Sequence, residues 1–158
     1  MLRTVVVQLI VTGALAFGPI AAAAVDPMPL PPIWQFHLDP EDVGVKEKWF
    51  AADLPDGQWT RLSTYDWEGW EKQGQTQGVD FAWYRLRINV PAAIQEQKHV
   101  YLFFNCVDEQ TWVWLNGQSV GEHTLASEGL VGSQSELRNR FWTEPFAFEI
   151  KKFRVFVF

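Results

Sequence analysis

Asn116-Gly117 stands between two alternating runs, Thr111-Trp-Val-Trp-Leu115 and Gln118-Ser-Val-Gly-Glu122. No feature of the chain restricts its fold more. A two-residue type I′ turn needs positive φ at both central positions, which Asn and Gly tolerate best, so the pair predicts a tight antiparallel hairpin. An isolated hairpin is marginal in water and must lay one face on further strands.

The further strands are legible. Phe81-Ala-Trp-Tyr-Arg-Leu-Arg-Ile-Asn-Val90 puts Ala82, Tyr84, Leu86, Ile88 and Val90 on one face and Trp83, Arg85, Arg87 and Asn89 on the other. One side therefore belongs to a core and the other meets solvent or a partner. His99 to Val107 is apolar on both faces, as a central strand would be. Ile33–Leu38, ended by Asp39-Pro40, and Trp59–Ser63 read as shorter strands, with Phe146–Ile150 and Phe153–Phe158 as two more. Pro55-Asp-Gly57 marks a turn, residues 65–79 and 123–145 are loops, and a single helical turn fits around Lys46–Ala51. No helix-period segment exceeds about two turns and no repeat is visible. Short strands with this punctuation predict an all-β sandwich.

The first residues carry a different signal. Met1-Leu-Arg3 is a short basic start, Thr4–Phe17 is mainly apolar, and Ala21–Ala24 supplies small residues for an A-x-A site. This is the pattern of a secretory leader over residues 1–24. Gly13, Gly18 and Pro19 weaken the rival reading of a membrane span. The product is expected to be periplasmic or extracellular, without membrane attachment after cleavage. A Pro-rich lead-in over 25–33 then precedes a domain over 34–158.

At 158 residues the chain has room for one domain and cannot hold a (β/α)₈ barrel of about 250 residues. Its net charge of −6 lacks the basic footprint of a nucleic-acid binder, and 47% apolar residues exclude disorder. Cys106 is the only cysteine, so no intrachain disulfide can form. Its place in the apolar run predicts a buried structural thiol.

Catalytic patterns are missing. Glu68, Glu71, Asp108-Glu109 and Glu122 are carboxylates without the dedicated setting of a glycosidase acid–base pair. His37, His99 and His123 are widely spaced, no metal-ligand cluster forms around them, and nothing in the sequence supports a bound calcium or other cofactor. No G-x-S-x-G, P-loop or G-x-G-x-x-G occurs. The nine tryptophans are the richer signal. Trp34, Trp49, Trp59 and Trp114 read as core rings. Trp67, Trp70 and Trp142 lie in polar, Gly-containing loops, where a flat ring beside hydrogen-bonding groups suits either stacking on a sugar or closing the end of a sandwich.

Four segments taken in order resemble one known module. They are Trp83-Tyr-Arg-Leu-Arg-Ile-Asn-Val-Pro91, Val100-Tyr-Leu-Phe-Phe104, Val107-Asp-Glu-Gln-Thr-Trp-Val-Trp-Leu-Asn-Gly-Gln-Ser-Val-Gly-Glu-His123 and Pro145-Phe-Ala-Phe-Glu-Ile150. Together with Trp70-Glu-Lys-Gln-Gly74 they resemble the N-terminal sugar-binding domain of glycoside hydrolase family 2, which includes β-galactosidases and β-glucuronidases. The resemblance spans nearly all of residues 34–150. It implies a galactose-binding-domain-like jelly roll of two antiparallel sheets, with the family's catalytic Glu pair in a separate barrel. Loop 123–145 is longer than the family pattern, and Phe153–Phe158 stands where a longer final strand is usual, which suggests C-terminal truncation. The expectation is a non-catalytic carbohydrate-binding domain. Trp67, Trp70 and Trp142 would contact sugar, with Glu71, Asp108, Glu109, Asn116 and His123 as polar neighbours. The rival expectations are a docking module for a separately encoded glycosidase catalytic domain and the N-terminal fragment of such a hydrolase.

Overall fold

The computed structural model of the chain describes residues 4–12, 27–57, 59–65, 69–75, 81–131, 141 and 143–150. Within them the architecture is all-β. The strands are β1 (Thr4–Thr12), β2 (Ile33–Leu38), β3 (Thr60–Ser63), β4 (Phe81–Asn89), β5 (Tyr101–Phe104), β6 (Gln110–Leu115), β7 (Gln118–His123) and β8 (Phe146–Glu149). One four-residue helix, α1 (Ala92–Gln95), follows Pro91, whose missing N–H and fixed φ suit the start of a helical turn.

Two sheets form. The larger has the order β3-β2-β4-β1-β6-β7, and the smaller joins β5 to β8. Every pairing is antiparallel except those of β1, which runs parallel to both β4 and β6. The larger sheet is therefore mixed, where the sequence led us to expect antiparallel strands alone. The cause lies in Thr4–Thr12, the apolar stretch assigned above to a leader. Apolar residues at successive positions satisfy a central strand as well as they satisfy a leader.

The core lies between the sheets. Trp34 and Phe36 from β2, Ala82 and Leu86 from β4, Val113 and Leu115 from β6 and Leu102 from β5 form one buried cluster with Leu62 and Trp70. Phe104 and Phe148 of the small sheet press against it. At Gly121 in β7 the sheets approach so closely that a Cβ would stand 2.7 Å from the Phe148 ring. The turn after β6 behaves as its sequence dictates, with Asn116 at φ 50° and Gly117 at φ 80°.

Two expectations are corrected here. The run 99–107 is not a strand buried on both faces. β5 covers only its middle, and Tyr101 and Phe103 are 59% and 62% exposed on the outer side of the small sheet. Cys106 is exposed rather than buried, because it lies past the end of β5, where the strand's alternation no longer places it.

Candidate functional site

The expected sugar contacts scatter. Trp67 and Trp142 fall outside the described residues. Trp70 belongs to the core: it is 4% exposed and its ring lies 5.7 Å from that of Phe36. A ring so enclosed presents no face to a sugar, which corrects that assignment. Its loop is polar in composition, yet Gln73 bonds it to β3. The Gln73 side chain accepts from Ser63 N–H at 2.7 Å and donates to the Ser63 carbonyl at 2.9 Å, holding Trp70 inward. Glu71 next to it is half-buried. Asn116 sits at the closed end of the β6–β7 hairpin, about 20 Å of strand away from the residues that precede β6.

The structure does bring three of the residues to one place, the open end of that hairpin. Asp108 and Glu109 lead into β6 and His123 ends β7. Asp108 is exposed, whereas Glu109 and His123 are buried. The His123 ring stacks on Phe146 at 4.2 Å and lies 4.6 Å from Phe141, so aromatic rings fix its plane. Its Nδ1 is 3.3 Å from Glu128 Oε1. An ionised carboxylate only accepts, so Nδ1 carries the proton and, in the neutral ring, Nε2 is left as an acceptor.

That Nε2 is buried without a hydrogen-bond partner, and so is Oγ1 of Thr111. The two residues are directly opposed in the β6–β7 register. Opposed residues have Cβ atoms about 5 Å apart, so two unsatisfied polar groups share one small region of the core face. A buried polar group left unpaired costs about 1–3 kcal/mol. With Thr111 at 0% and His123 at 5% exposure the pair is sealed in the core, and any single small group that both donates and accepts would satisfy both. Thr111, Phe141 and Phe146 were not among the expected site residues. Thr111 could have been found from the hairpin register, had the irregularity between Val113 and Trp114 been foreseen.

A second aromatic group lies on the opposite face of the large sheet. Trp49, Trp59 and Trp114, expected in the core, are half-buried here together with His37 and Phe50. Trp49 packs at 4.7 Å on His37 and at 5.9 Å on Trp83, Trp83 at 5.6 Å on Trp114, and Phe50 stacks on Trp114 at 5.5 Å. Residues 39–57 lie over this face, held by charged side chains. Arg85 is fully buried; it donates to Gln35 Oε1 at 2.7 Å, to the Leu54 and Pro55 carbonyls, and to Asp56 Oδ1 at 2.9 Å. Its guanidinium lies 4.5 Å from the Trp59 ring, a cation–π contact. Burial lowers the Arg85 pKa from its ordinary value, the neighbouring Arg87 lowers it further, and Asp56 opposes both. These groups are engaged with one another, so this layer is structural.

Among the described residues no group of His, Cys, Asp and Glu could hold a metal ion. No helix there is long and apolar enough to cross a membrane. No known protein family, curated protein or solved structure matches the chain.

Proposed function

We propose that this chain is an exported, non-catalytic carbohydrate-binding module with a jelly-roll fold, of the kind found at the N-terminus of family 2 glycosidases. One observation carries the reading: the ordered segments that resemble the module fall on β4, β5, the β6–β7 hairpin and β8 of two sheets sharing one core. Sugars bring hydroxyls that donate and accept at once, and apolar C–H faces that suit aromatic walls. The exposed Asp108 at the mouth of the same hairpin adds an acceptor for a further hydroxyl. The ordered motifs of the sequence support the same class, and they carry no catalytic carboxylate pair with them.

Calorimetric titration of the purified chain with a panel of β-linked and monomeric sugars tests the reading. Binding at millimolar concentration or tighter is expected, and no heat with any of them overturns it. Thr111→Val is the control variant. It removes an orphaned hydroxyl that is sealed in the core, so the free protein should be at least as stable and sugar affinity unchanged.

A second reading rests on a different surface. Tyr101 and Phe103, exposed side by side on the small sheet, suit contact with another protein domain such as a glycosidase barrel. It requires co-elution with that barrel and silence in the sugar titration.

A further inference from the structure

β4 and β6 do not pair with each other. Both give their edges to β1, which matches Phe81–Asn89 along its whole length on one side and Gln110–Leu115 on the other. Without β1 the sheet order β3-β2-β4-β1-β6-β7 would fall into two pieces, β3-β2-β4 and β6-β7, with facing edges. Those edges point the same way, because each runs parallel to β1. Between them lies a cleft one strand wide, which accepts an extended segment parallel to both of its walls.

The occupant suits the cleft. Of the 9 residues TVVVQLIVT, all but Gln8 and Leu9 are Val, Ile or Thr, which favour extended backbone, and none is charged. Main-chain hydrogen bonds carry the affinity when a strand adds to a sheet, and here they are made along two edges at once. The same residues lie within the apolar run that has the pattern of a secretory leader. The two uses need the whole segment and exclude each other. A seated strand has committed its backbone groups on both sides, whereas a leader has to be presented free of the domain that follows it.

We propose that the facing edges of β4 and β6 form a strand-binding cleft whose ligand is the chain's own Thr4–Thr12, and that seating the segment there withdraws it from use as a leader. The withdrawal rests on the export reading above; the cleft does not. The covalent link to β2 keeps the segment at a high effective concentration, so the cleft is tested with that link cut. The full-length chain, carrying a specific protease sequence between Ala24 and Val25, is folded and then cleaved. The 1–24 fragment is expected to co-elute with the domain in size exclusion, and the cut chain to melt within a few degrees of the intact one. A labelled peptide of residues 1–24, added in excess, should exchange into the cut chain. The same peptide with Val7→Pro should not, because proline removes a donor from the ladder. Release of the fragment on cutting, or equal uptake of the two peptides, overturns the cleft. Signal peptidase in detergent micelles tests the withdrawal: chain freshly diluted from urea should be cut after Ala24 and folded chain left intact. Equal cutting of both overturns the withdrawal. No cutting of either overturns the export reading, while the cleft still stands or falls on the retention of the fragment.

Discussion

Asp39 shows how much one residue can organise. It is buried beyond the end of β2, and its carboxylate accepts from Val43 N–H and Gly44 N–H, both at 2.8 Å, and from Trp83 Nε1–H at 3.0 Å. Gly44 has to be glycine for a steric reason, since a Cβ there would stand 2.2 Å from Trp83 Nε1. Asp39→Asn keeps the shape but turns an amide N–H₂ toward donors. It should lower stability by about 2 kcal/mol in urea unfolding. Read from the sequence, Asp39-Pro40 marks only the end of a strand. The carboxylate's role depends on Trp83, 44 positions away, a distance over which local patterning carries no information. Trp70 misled for the related reason that a polar loop can still aim one ring into a core. Cys106 misled because apolar character continues past the end of β5 while the strand does not.

At the scale of elements, strands were legible wherever alternation was long and a turn was marked. β2, β4, β6, β7 and β8 lie within about a residue of their expected bounds, and the Asn116-Gly117 turn takes the positive φ values its residues favour. The site was not legible because register is set by an irregularity. Counted back from the turn without a shift, Thr111 would oppose Glu122; the bulge between Val113 and Trp114 brings His123 there instead. The segment over the outer face has a titratable attachment. Desolvation acts to raise the Asp56 pKa, but hydrogen bonds from Gln35 and Arg87 and the charges of Arg87 and Arg85 together take it below the ordinary carboxylate value. A lowered folded pKa contributes stability that is present above the unfolded value and lost as pH falls through the folded one. Asp56 is 61% exposed, so the effect is local and small. Amide exchange in residues 49–57 should accelerate relative to the core below about pH 4, the range of an unperturbed carboxylate. Asp56→Asn should flatten that pH dependence.

At the scale of the whole molecule, the two sheets share a single core among the described residues, which predicts that they unfold as one cooperative body. Leu102 of the small sheet is buried in the same cluster as Trp34, Phe36, Val113 and Leu115 of the large one. Leu102→Ala should therefore cost about 3 kcal/mol. It should also shift the unfolding of both sheets together, seen as coincident transitions by tryptophan fluorescence and by far-ultraviolet circular dichroism. Separate transitions would mean that the small sheet is a satellite.

The aromatic layer on the outer face has a consequence in optics. Trp49, Trp59, Trp83 and Trp114 form a chain in which successive ring centroids are 6.2, 5.9 and 5.6 Å apart along the path Trp59–Trp49–Trp83–Trp114. Indole transitions at such separations couple as excitons and are not independent chromophores. One member, Trp49, is carried by the overlying segment, while Trp83 and Trp114 belong to the sheet beneath. The coupled band therefore reports whether that segment is seated. The molecule holds its own spectroscopic gauge for the detachment of one layer from another.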